Sequence, residues 1–135
     1  MFLKHRIGMA WFLCILVGPA ALLGSGCSSG INNEPVDAAV ARDTLQKALE
    51  SWKKGDKVDA LQQASPPIYV IDMEWQGGAT LKEYEIVGAG EAKDAHLLCK
   101  VKLTVRGPGG GKEVKKEQTY VISTAPNLTV SRMVF

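Results

Sequence analysis

The stretch His96-Leu97-Leu98-Cys99-Lys100-Val101-Lys102-Leu103-Thr104-Val105-Arg106 alternates with a period of two. Leu97, Cys99, Val101, Leu103 and Val105 turn to one side, and Leu98, Lys100, Lys102, Thr104 and Arg106 to the other. One apolar face and one polar face at that period describe a half-buried β-strand. Gly107-Pro108-Gly109-Gly110-Gly111 then forces a loop, and Lys112 to Thr124 alternates again. Pairing fixes how these two strands meet. Setting Val105 against Val114, Cys99 against Tyr120 and Leu97 against Ile122 also sets Lys102 against Glu117 and Arg106 against Glu113 on the outer face. A slip by one residue would place Leu103 opposite Lys115 and turn the core set outward.

The pattern spreads in both directions from this pair. Ala125-Pro126-Asn127 makes a turn, and Leu128 to Phe135 reads as a further strand. It carries Leu128, Val130, Arg132 and Val134 to the inner face, with Arg132 near Tyr120. Upstream, Leu81 to Val87 alternates, with Tyr84 and Ile86 opposed to Glu83 and Glu85. Gly88-Ala89-Gly90 and Glu91 to Asp94 read as the turn that follows. Ile68 to Ile71 is a short apolar strand, and Trp75-Gln76-Gly77-Gly78 reads as irregular.

Helical periodicity comes before the strands. Val36, Val40, Leu45, Ala48, Leu49 and Trp52 recur at three- and four-residue steps, predicting a helix from Pro35 to Lys54 with Pro35 in its first turn. Asp43–Lys47 and Glu50–Lys54 are i,i+4 pairs in the favourable order. Gly55 is the natural stop. Asp56 is placed to cap a second short helix, Lys57 to Ala64, closed by Ser65-Pro66-Pro67. The fold class is α+β, with a long and a short helix packed on an antiparallel sheet of about four to five strands.

The start of the chain carries an address. Lys4, His5 and Arg6 precede an apolar run from Ile7 to Leu23, and Gly24-Ser25-Gly26 leads to Cys27. This is the pattern of a secretory signal peptide. A cysteine at the cut resembles the lipobox of bacterial lipoproteins, although Gly24 stands where Leu is preferred and Leu23 sits one residue early. The resemblance implies a signal at 1–26, lipidation of Cys27 by fatty chains such as palmitate, and a lipidated tether at 27–34. It places the protein in the cell envelope, on the periplasmic or other extracytoplasmic face of a membrane. Ser28 after the cysteine favours outer-membrane delivery where a cell has one. Two competing readings are an uncleaved anchor, at the short end of the ~17–25 residues that span a bilayer, and a Cys27–Cys99 disulfide.

Composition narrows the partners. Of the 135 residues, 16 are Lys or Arg and 14 are Asp or Glu. Lys4 and Arg6 leave with the leader, so the mature chain is balanced. A neutral domain gives no electrostatic case for nucleic acid. Residues 27–135 suffice for one domain with a modest core.

A leading helix that ends Ser51-Trp52-Lys53-Lys54-Gly55-Asp56, a short second helix and a long-stranded sheet together resemble the NTF2-like (SnoaL-like) α+β domain over Pro35 to Phe135. That resemblance implies a curved sheet wrapped into a cone around the helices, with a pocket on its concave side. Some members are isomerases, dehydratases or cyclases, and many only bind or assist a partner.

Chemical motifs are few. Gly107 to Lys112 lacks the first glycine and the final Ser or Thr of a phosphate loop, and Gly88-x-Gly90 opens no helix, so no nucleotide cofactor is indicated. His96 is the single histidine after the leader, too few for a histidine metal site. It starts a strand on the outward face, opposite to Cys99, so no Cys-His pair forms. The inner face carries the exception. Lys116, Gln118, Tyr120 and Arg132 share it, and two cations with an amide beside apolar residues suit the mouth of a pocket for a small anion or carboxylate. Side chains that overhang the core and reach water are the plainer alternative. Trp52 belongs to the helix stripe, while Trp75 and Tyr69 are candidates for a rim or interface. The first functional reading is a tethered, non-catalytic binding or assembly domain with an envelope protein or a second copy as partner. The second is a receptor for a small anion. The third, an isomerase or hydrolase, requires Asp72 or Glu74 to reach the cavity with a raised pKa.

Overall fold

The computed structural model describes residues 34–135. The signal segment, Cys27 and the tether up to residue 33 lie outside them. Among the described residues no helix is long and apolar enough to cross a membrane.

The elements are α1 (Ala38–Lys53), a 3-10 turn (Ala60–Gln63), β1 (Ile68–Ile71), a single helical turn α2 (Met73–Gln76), β2 (Thr80–Lys93), β3 (His96–Arg106), β4 (Glu113–Ser123) and β5 (Leu128–Arg132). Five strands form one sheet in the order β1-β5-β4-β3-β2. The α+β class holds, but the sheet is mixed rather than antiparallel throughout. β1 runs parallel to β5, with Ile68 beside Leu128 and Ile71 beside Ser131. A parallel pair needs a long crossover, which here is the whole β2–β4 meander.

The expected register of β3 and β4 is the one observed: Val105 opposes Val114, Cys99 opposes Tyr120, Leu97 opposes Ile122, Lys102 opposes Glu117 and Arg106 opposes Glu113. Leu97, Cys99, Val101, Leu103 and Val105 are all buried. β2 differs from expectation. Gly88-Ala89-Gly90 is not the turn; the strand continues to Lys93 through a bulge between Val87 and Glu91, and the reversal comes at Asp94 and Ala95. Gly90 has φ +87°, and a Cβ there would lie 2.9 Å from the Cys99 sulfur. The glycine lets the bulged backbone press on β3. Arg42 of α1 donates to the Gly88 carbonyl.

α1 begins later than Pro35. Asp37 caps it by accepting from Val40 N at 3.1 Å, and this side-chain acceptor outweighs proline's preset φ as a start signal. The buried stripe runs through Ala41, Leu45, Ala48 and Trp52, with Thr44 and Leu49 beside it, and Val40 turns outward. Glu50 accepts from the Tyr84 hydroxyl rather than pairing with Lys54, whereas Asp43–Lys47 forms at 2.9 Å. Gly55 (φ +89°) closes the helix: Gly55 N donates to Trp52 O and Asp56 N to Ser51 O, a Schellman ending. Asp56 then accepts from Ser51 Oγ instead of capping a helix, and the expected Lys57–Ala64 helix shrinks to the 3-10 turn.

The molecule has two ends. Val36 N donates to Asp94 O and Asp37 N to Thr124 Oγ1, so the first described residues sit by the β2–β3 turn. The glycine loop after β3 is at the opposite end.

Candidate functional site

Asp72 follows the buried Ile68 and Val70 of β1 and caps α2. Its Oδ1 accepts from Glu74 N at 3.0 Å and Trp75 N at 3.3 Å. This makes a helical turn where the sequence suggested irregular backbone, and it seals Asp72 at 1% exposure. Its other oxygen meets two groups from the sheet. The Tyr120 hydroxyl donates to Asp72 Oδ2 at 2.7 Å, and Arg132 Nη2 stands 2.9 Å from the same oxygen. Arg132 Nη2 also donates to the Tyr120 oxygen at 3.1 Å.

Glu74 extends the cluster outward. Its Oε2 lies 3.2 Å from Arg132 Nη1, and its Oε1 accepts from Lys116. Two carboxylates therefore face two cations, with one phenol between them. Burial pushes the Glu74 carboxyl up, but Lys116 and Arg132 beside it outweigh burial and hold it below its ordinary value. Burial, then the Asp72 charge, push the Tyr120 hydroxyl far above its ordinary value against the opposing pull of Arg132. Glu74 therefore stays ionised and Tyr120 protonated at neutral pH, each fixed by partners.

Aromatic rings enclose the cluster. Trp52 and Trp75 stack with centroids 5.6 Å apart and planes 11° apart. Trp52 Nε1 donates to Ala79 O at 2.7 Å and Trp75 Nε1 to Asp56 O at 2.8 Å, so both indoles are satisfied by backbone. The Arg132 guanidinium carbon lies 5.8 Å from the centre of the Trp52 ring and 5.7 Å from that of Tyr120, within cation–π range of both.

Of the residues proposed for a pocket mouth, Lys116, Tyr120 and Arg132 are brought together. Gln118 lies on the same face opposite Val101 and takes no part in the cluster. The cations are not left open for a ligand, because Glu74 and Asp72 already meet them. The Arg132 side chain is only 8% exposed. Asp72 and Glu74 entered the sequence reading as possible acids of an enzyme, whereas their geometry is that of a helix cap and an ion-pair hub. The signal for this was local: Asp72 directly before Met-Glu-Trp is an N-cap with an acid in the first turn.

Outside the cluster, Trp75 is buried rather than at a rim, while Tyr69 is partly exposed on the outer face. His96 Nδ1 lies 2.8 Å from Ser123 Oγ at the sheet end. Cys99 is fully buried, and burial pushes its thiol up despite the charge of Arg42. An open groove of about 380 Å³ runs between α2 and the β3–β4 hairpin, walled by Met73, Ala79, Val105, Pro108 and Val114 beside the Glu74–Lys116 pair. No known protein family, characterised protein or solved structure matches this chain.

Proposed function

We propose that this chain is a membrane-tethered lipoprotein of the cell envelope whose domain works by binding or assembly, without catalysis of its own. The leader ending at Cys27 supports the anchor, and the observation that carries the non-catalytic reading is the self-neutralised cluster. Asp72, Glu74, Lys116, Tyr120 and Arg132 balance one another's charge beneath two stacked indoles, although Arg132 Nε and Glu74 Oε2 have no hydrogen-bond partner. General acid–base catalysis needs a group that exchanges protons near the working pH, and Glu74 is shifted the wrong way for that task.

The domain over 35–135 is read as an NTF2-like cone. This rests on α1 packing against the sheet and on the Trp52-to-Asp56 helix ending. The first described residues lie at the β2–β3 end, so the tether, 27–34, joins there, and the opposite end, with Met73 at 74% and Val114 at 53% exposure, is the one farthest from the point of attachment. Fully stretched, the six residues after Cys27 reach about 20 Å, so the domain stays close to the bilayer while presenting that end.

The test has two parts. Labelled palmitate enters the wild-type chain, and Cys27→Ser takes up none and leaves the membrane fraction. Palmitate missing from the wild type, or a Cys27→Ser form still fully bound, overturns the anchor. Cross-linked capture from membranes then recovers a protein partner or a second copy.

A further inference from the structure

β5 is much shorter than the strand it pairs with. Its last rung on β4 is Tyr120–Arg132, followed by one hydrogen bond from Met133 N to Thr119 O at 2.9 Å. β4 continues toward the hairpin from Gln118 to Glu113, and among the described residues no strand lies along that side of it. The Thr119 carbonyl faces the β5 side. In an antiparallel ladder the residues of the same parity, Glu117, Lys115 and Glu113, turn their N–H and C=O groups the same way. Glu113, Val114, Lys115 and Glu117 are exposed. The sheet thus has an unfinished edge whose backbone groups are open to another strand.

We propose that a second copy of this chain occupies this edge, antiparallel, around a two-fold axis through Val114. A two-fold axis perpendicular to the sheet keeps outer face with outer face, so only residues of like parity can oppose one another. Charge then selects among the registers. Centred on Lys115, the pairing opposes Lys115 to itself and Glu113 to Glu117, two rungs of like charge. Centred on Glu113, it opposes Glu113 to itself. Centred on Lys116, it opposes Lys115 to Glu117 but also Lys116 to itself, and it brings Glu113 of the other copy against Thr119, whose carbonyl Met133 already takes. Centred on Val114, Glu113 meets Lys115 of the other copy twice and Val114 meets Val114; Lys112, before the strand begins, meets Lys116, whose charge Glu74 of its own copy already neutralises. The Glu113–Lys115 rungs use backbone groups that point outward and have no strand partner. The axis also joins two apolar patches, since Val114 borders the groove shared with Met73 and Pro108. The pair is elongated, with the β2–β3 turns of the two copies at opposite ends.

This inference deepens the assembly reading by naming the partner, and its geometry is independent of the anchor. The test uses the full chain in detergent, with sedimentation reporting association and circular dichroism confirming the fold. The wild type associates reversibly to a dimer. Lys115→Glu turns both outer rungs into Glu–Glu and weakens association about tenfold or more. Combining it with Glu113→Lys restores association, because the rungs are again opposite in charge. Under oxidation Val114→Cys forms a disulfide-linked dimer, since non-hydrogen-bonded partners sit at disulfide distance, and Glu85→Cys on the exposed outer face does not. A wild type that stays monomeric at every concentration overturns the proposal. So does a dimer that Lys115→Glu leaves unchanged. A lipidated monomer that captures a different protein overturns the second-copy proposal alone, while a dimer lacking palmitate overturns the anchor alone.

Discussion

At the scale of single residues, two partnered groups, Tyr84 and Glu74, make stability depend on pH. Burial and the neighbouring Glu50 raise the Tyr84 hydroxyl from 10.0 to about 12. The folded state holds that proton more tightly than the unfolded chain does, so its contribution is fully present below pH 10 and is lost as pH rises toward 12. Glu74 has the opposite sign. Its folded pKa is depressed, so its contribution is present above the ordinary carboxylate value of 4.5 and is lost as pH falls through the lower folded value. Glu74 at 32% and Lys116 at 28% side-chain exposure still meet solvent, which keeps this acid effect modest. Denaturant unfolding across pH therefore loses stability on both limbs. Tyr84→Phe flattens the alkaline limb and Glu74→Gln the acid one. Limbs left unchanged by these variants would contradict the assignments.

At the scale of elements, the legible parts were those with a strict local period. β3 could be placed face by face because apolar and polar residues alternate without a break, and its pairing with β4 followed from charge on the outer rungs. β2 was read short because glycines mark turns more often than bulges. Only contact with Cys99 distinguishes the two, and that contact lies across the sheet. The same contact gives a prediction. Gly88→Ala meets open space and carries only the left-handed backbone penalty, about 1–2 kcal/mol. Gly90→Ala carries that penalty and also drives a Cβ to 2.9 Å from Cys99 Sγ and 3.1 Å from Leu98 O. It destabilises the fold distinctly more than Gly88→Ala in chemical denaturation. Equal losses would mean that the bulge does not press on β3.

At the scale of the whole molecule, β1 and the acids after it could not be placed from the sequence. The parallel pairing of β1 with β5 joins segments separated by the whole meander, and no local period records it. Parity did foresee that Lys116, Tyr120 and Arg132 share the inner face. It could not foresee that Asp72 and Glu74 would arrive from the far side to neutralise them, and so an open anion site became a closed tie between sheet and crossover. The account stands on that tie holding the structure together. The direct measurement is the unfolding free energy of Arg132→Met beside that of Arg132→Met with Asp72→Asn. Removing the guanidinium alone strands a buried carboxylate and costs about 3–5 kcal/mol. Neutralising Asp72 as well recovers most of that loss, because no charge is left unpaired. An Arg132→Met protein within about 0.5 kcal/mol of wild type would contradict the account and return Arg132 to the role of a residue kept free for a ligand.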